Sequence, residues 1–170
     1  MRFILLLAVL AGGCGLTDFD ISQPIPDQSV TGSPVPAPIQ GLFPIPLSLD
    51  LSAKINKQTT GAIDSVTLSS LSLNITATEQ QGDDVDNFLF IDEIHVFVKS
   101  ELADSQLPRI EIASEVAPGE VQNFNFEVNS GVDLLPYINE GSIVESEASG
   151  TAPPDNVSYD GQAVFTVHPL

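Results

Sequence analysis

Histidine, cysteine and paired carboxylates are the side chains most often used for chemistry, and here the first two are scarce. The 170 residues hold two histidines, His95 and His168, and one cysteine, Cys14, against 23 aspartates and glutamates. A serine triad needs a nucleophile on a sharp turn beside an oriented base. The sequence has no Gly-x-Ser-x-Gly stretch, and His95 lies among apolar residues, where a structural role is expected. Zinc asks for three or four ligands, mostly nitrogen or sulfur, more than two separated histidines supply. Acids are so plentiful that a pair about 5–10 Å apart, the spacing glycoside hydrolysis uses, arises by chance. Sugar-binding sites stack rings on exposed aromatics, yet the chain has no tryptophan, and its only tyrosines are Tyr137 and Tyr159. No residue is therefore assigned a catalytic role. The expectation is a protein that is not an enzyme, with a hydrolase built on a carboxylate pair as the alternative.

The densest polar cluster is Gly82-Asp83-Asp84-Val85-Asp86-Asn87, between two apolar stretches. Calcium takes six to eight oxygen ligands, and closely spaced carboxylates on one loop supply several. Asp84-Val85-Asp86 keeps the first spacing of an EF-hand loop, without its glycine or its distal glutamate. No cofactor is required by anything in the sequence. If one binds, the expectation is calcium, held weakly at Asp83, Asp84 and Asp86. A second acidic loop runs from Pro153 to Gly161 and carries Asp155 and Asp160. Acidic loops between strands are also ordinary solvated turns.

Cys14 stands in a different setting. Arg2 supplies a positive charge, Phe3 to Leu10 form a short apolar run, and Ala11-Gly12-Gly13 place small residues before the cysteine. Charge, apolar core and small-residue cleavage site follow the order of a secretory signal. The run falls short of the roughly 20 apolar residues that span a bilayer as a helix. Residues 10–14, Leu-Ala-Gly-Gly-Cys, resemble the lipobox of bacterial lipoproteins, with the leucine one place earlier than usual. The resemblance implies a signal peptide over residues 1–13 and a diacylglycerol on the Cys14 thiol. It also implies acylation of the amine that cleavage frees. The membrane would then be a partner through the N-terminal lipid, in the cell envelope. An aspartate after the cysteine favours inner-membrane retention in such proteins; Gly15 holds that place and implies the outer membrane instead.

Loss of Arg2 would leave Lys54, Lys57, Lys99 and Arg109 as the only cations against 23 carboxylates. Phosphate backbones are bound through clusters of Lys and Arg, so nucleic acid is excluded as a partner. What remains is an unidentified envelope protein or surface ligand.

Seven prolines fall between Gly15 and Pro46. Proline removes a backbone donor and biases its predecessor towards extended conformations. Residues 14–46 are therefore expected to be a semi-rigid tether, dispensable for folding. Fully extended, it would reach roughly 100 Å at about 3.1 Å per residue. Ile39, Leu42, Phe43 and Ile45 are more apolar than a free linker needs, and predict that part of it lies along the domain.

From Leu47 the pattern alternates with period two, the mark of a half-buried strand, through Ile55. Val66-Thr67-Leu68 and Leu71-Ser72-Leu73 alternate in opposite phases, so a bulge or a crossing between sheets is expected at Ser69-Ser70. Ile94, Val96 and Val98 face one side, and His95, Phe97 and Lys99 the other, as in a central strand. Residues 109–113 and 124–128 alternate as two more strands. Residues 132–138 suit a single helical turn over the core. Residues 142–148 suit an edge strand protected by Glu145 and Glu147, and residues 163–167 a last strand. The expected fold for 47–170 is an all-β antiparallel sandwich, immunoglobulin-like or a related Greek key, of about seven to eight strands. A β-barrel is the alternative. The functional expectation is an acidic binding, adhesion or structural module.

Overall fold

Alternation decides most of the architecture. In the computed structural model, which describes residues 17–76 and 85–170, Ile94, Val96 and Val98 are fully buried while His95, Phe97 and Lys99 face outward. They belong to β4 (Ile91–Ser100), the middle strand of a five-stranded sheet. Its order is β2 (Pro38–Leu42), β8 (Ser142–Thr151), β4, β5 (Ile110–Val116), β7 (Glu127–Val128). The second sheet runs β1 (Phe19–Val30), β9 (Val157–Pro169), β3 (Ile63–Thr76), β6 (Asn123–Asn125). Every pairing is antiparallel. Only β4 and β5 are neighbours both in sequence and in a sheet. Neither sheet closes on itself, so the domain is an all-β sandwich and not a barrel.

The phase change in β3 is a bulge. Pairing with β9 shifts register between Leu68 and Ser70, which lets Val66, Leu68, Leu71 and Leu73 all point into the core. Segment 123–128 does cross between sheets. β6 pairs with β3 and β7 with β5, while buried Phe126 between them donates its N–H to Leu71 O at 2.9 Å. The alternating stretch 124–128 is therefore split between two short strands on either side of Phe126, giving nine strands in all among the described residues. The helical turn after Val132 is α2 (Leu135–Glu140), fixed by Asp133 Oδ1, which accepts from the N–H groups of Val66 and Leu135.

Three expectations are corrected. The tether over 14–46 is not one across its described part, because β1 and β2 are built from it. Both are edge strands, where a missing donor is tolerated. Pro24 sits opposite Gln162, Pro26 lies within a register shift between Ile25 and Gln28, and Pro38 opens β2. Ile21 and Ile25 of β1 are core residues, so the folded domain begins by Phe19 and not at Leu47.

Next, residues 47–55 are not a strand. Phe43, Ile45, Leu47, Leu49 and Leu51 are buried alternately along an extended chain that lies outside both sheets. Phe43 N–H donates to Ser146 O at 3.0 Å, but beyond it the backbone bonds are local, Leu47 N–H to Ile45 O and Leu51 N–H to Leu49 O, each 2.7 Å. The buried Ser146 secures it, accepting from Ile45 N–H at 3.2 Å and donating to Phe43 O. α1 (Ser52–Gln58) follows, with Ile55 as its buried residue.

Finally, β8 is not an edge. β2 covers one side of it and β4 the other. Glu145 and Glu147 are accessible because they point outward from the sheet, not because the strand is unpaired.

A cleft between two acidic loops

Residues 85–87 of the first acidic loop meet the second acidic loop at one end of the sandwich. Residues 85–90 lead into β4, and residues 152–156 join β8 to β9. Between them lies an open cleft of about 360 Å³, lined by Val85, Asp86, Leu89, Pro153, Pro154 and Asp155 among others. Its lip is apolar, with Val85 and Leu89 each 58% exposed. Asp86 is buried at 5% exposure, turned inward and not out to solvent.

Backbone bonds hold both walls. Thr151 N–H donates to Phe90 O at 3.0 Å and Ala152 N–H to Ala37 O at 2.8 Å. The β1–β2 connection clamps the outer loop: Ser33 N–H donates to Pro153 O at 2.8 Å, and Gly32 N–H to Asn156 Oδ1 at 3.0 Å. Gly32 passes so close that a Cβ there would overlap the Asp155 backbone. On the other wall Asn87 Oδ1 accepts from Leu89 N–H at 2.9 Å, fixing the turn that places Leu89 on the lip.

Beneath the cleft sits an aromatic cluster. Phe88 meets Phe124 edge-on at 4.7 Å between ring centres, and Phe43 stacks on Tyr159 at 5.0 Å. Such pairs add about 0.5–1.5 kcal/mol beyond the area they bury. Tyr159 donates its hydroxyl to Pro44 O at 2.7 Å, and burial pushes that phenol far above its ordinary value. The floor is therefore rigid and apolar, and the carboxylates stand at its margin.

Of the three aspartates expected to hold calcium, Asp86 lines the cleft, while Asp83 and Asp84 lie outside the described residues. Among the described residues no three His, Cys, Asp or Glu side chains converge on a metal position. Cys14 also lies outside them. The fold does unite Asp155 with Asp86 in one cleft, which no local spacing in the sequence reveals.

His95 is not in the core. It lies on the outer face of β4, its Nδ1 2.9 Å from Glu111 Oε2 and its Nε2 3.7 Å from Glu93 Oε2. Beside it the Arg109 guanidinium covers the Phe97 ring at 3.5 Å, which accounts for an aromatic on a solvated face. Arg109 also pairs with Glu145 and Glu147, and Lys99 with Glu145. Hydrogen bonding from Lys99, aided by Arg109, holds the Glu145 carboxyl below the usual range. Glu140 is likewise lowered, by hydrogen bonds from Ser105 and Ser100. A general acid needs the opposite shift. His168, at the other end of the molecule from the cleft, places Nδ1 3.0 Å from Asp18 Oδ2.

No known protein family matches the sequence, and no curated protein does. Solved structures of Desmodium yellow mottle tymovirus and turnip yellow mosaic virus are each 15% identical to it. Each match covers all of this chain and 92% of the other, at a TM-score of 0.25. At that score the likeness carries no weight for fold or function. Among the described residues no helix is long and apolar enough to cross a membrane.

Proposed function

We propose that this is a lipid-anchored protein of the bacterial cell envelope, whose acidic β-sandwich is a binding, adhesion or structural module. The observation that carries the reading is Cys14, the sole cysteine, placed after an apolar run and Ala11-Gly12-Gly13 and just before the first strand. Gly15 favours the outer membrane over the inner. The partner is an envelope protein or surface ligand, and the cleft with its apolar lip is where it would engage. Binding sites are typically concave and mostly apolar, with a few placed polar groups, and this cleft has that character.

The test is direct. Mass spectrometry of the mature protein should find two or three acyl chains on Cys14, enough for stable attachment where one chain is marginal. Cys14→Ser should leave the membrane fraction. An unmodified Cys14 thiol on the mature protein would end the proposal.

The alternative, a hydrolase using a carboxylate pair, is favoured by one observation, the meeting of Asp86 and Asp155 in the cleft. It requires turnover of a glycan or ester that is abolished in Asp86→Asn or Asp155→Asn while the fold persists. No cofactor is required; if one binds, it is calcium at Asp83, Asp84 and Asp86.

A further inference from the structure

The start of β1 and the cleft lie at opposite ends of the sandwich. Phe19, the first residue of β1, pairs with Val167 near the end of β9, while Val30 at the other end of β1 pairs with Val157. The cleft loop 152–156 runs directly into Val157. β4 spans the same axis, with Leu89 on the cleft lip just before it and Leu102 just after it. At about 3.3 Å per residue, the length of β1 separates the two ends by roughly 35–40 Å.

Between Cys14 and β1 the chain is short, and it is held at Asp18. The Asp18–His168 contact ties it to β9, and only Gly15, Leu16 and Thr17 stand between Asp18 and Cys14. At roughly 3.3–3.6 Å per residue, those four steps reach about 14 Å at most. A lipid on Cys14 thus keeps the Phe19 end of the domain within about 14 Å of the headgroups. The same end exposes Leu102 and Ile143, at 51% and 41%, where side chains can rest against the lipid interface.

We propose that the Phe19–Leu102 end of the sandwich is its membrane-facing surface, and that the Asp86–Asp155 cleft is presented away from the bilayer. This rests on the lipid-anchor reading, and it replaces display on a long tether with a fixed orientation. A partner would then have to approach from the far side, from a second membrane, the peptidoglycan layer or the surrounding medium, and not along the anchoring leaflet.

The absence of tryptophan makes the test clean. The mature chain from Cys14 is coupled through that thiol to maleimide-bearing lipid in phosphatidylcholine vesicles with dansyl headgroups. It carries a single tryptophan at Leu102→Trp or Leu89→Trp, with Ile143→Trp and Val85→Trp as second probes of each end. Circular dichroism matching wild type selects the folded variants. Energy transfer to the headgroups should be several-fold stronger from the Leu102 and Ile143 positions. Equal transfer from both ends, or stronger transfer from the cleft, would overturn the proposal. A twenty-residue Gly/Ser insertion after Gly15 should reduce the contrast; an unchanged contrast would overturn the linker argument. Because the coupling is chemical, these results stand whether or not cells acylate Cys14, whereas an unmodified thiol in cells would defeat the anchor reading alone.

Discussion

Glu145 receives both Lys99 and Arg109, and its lowered pKa makes that arrangement testable. A carboxyl whose folded pKa lies below its unfolded value, about 4.3 for glutamate, stabilises the fold above the unfolded value. That contribution disappears as pH falls through the folded value. Wild type should therefore melt above Glu145→Gln at neutral pH, with the gap closing well below pH about 4. A gap that persisted in acid would mean the variant had lost packing and not charge. Calcium gives a second residue-level prediction, at the loop holding Asp86. With a dissociation constant near 1 mM, a tenfold excess of calcium would add roughly 1.4 kcal/mol and raise Tm by several degrees. Magnesium, which prefers stricter octahedral geometry and keeps its water, should do less. Melting Asp84→Asn/Asp86→Asn in each salt separates binding from general screening. An unchanged calcium shift in that double variant would reject the loop as the calcium site.

β1 and the extended strand-like chain from Phe43 to Leu51 show what proline density conceals. Ile21, Ile25, Phe43 and Ile45 are all at most 4% exposed. At about 1.5–3 kcal/mol for each side chain, together they rival the roughly 5–15 kcal/mol that hold a typical domain. A chain beginning at Leu47 should therefore fail to fold cooperatively, while one beginning at Thr17 should melt like the mature protein; circular dichroism during heating distinguishes them. The apolar runs of β4 and the phase change at Ser69-Ser70 were legible in the sequence because burial alone dictates them. β1 was not, since Pro24 and Pro26 forbid a central strand yet are harmless at an edge and in a bulge. Alternation from Leu47 likewise reports a buried face without revealing whether a neighbouring strand completes the ladder. Glu145 and Glu147 suggested an edge because outward-facing and edge-lying acids look alike in one dimension. Each acidic loop was legible by itself, but their meeting depends on the crossing from β8 to β9 and on the clamp at Gly32 and Ser33.

Taken whole, the molecule divides its labour between two ends joined by strands that run the length of the domain. Aromatic rings stiffen one end, under the cleft, and the other end is tied by Asp18 and His168. The antiparallel pairing of β1 with β9 then has a mechanical consequence. A pull between Cys14 and the cleft loads the β1–β9 ladder along the strands, so its hydrogen bonds, perpendicular to the strands, share the load at once. A pull between Cys14 and Leu170 instead starts at the Phe19–Val167 pair and opens the ladder one rung at a time. In single-molecule stretching, handles at Cys14 and Pro153→Cys should require a markedly higher rupture force than handles at Cys14 and Leu170→Cys. Similar forces in the two geometries would contradict this picture. An anchor on β1 and a grip at the cleft would thus set the domain under tension in its stronger direction, as a mooring line held in shear resists where a seam would tear.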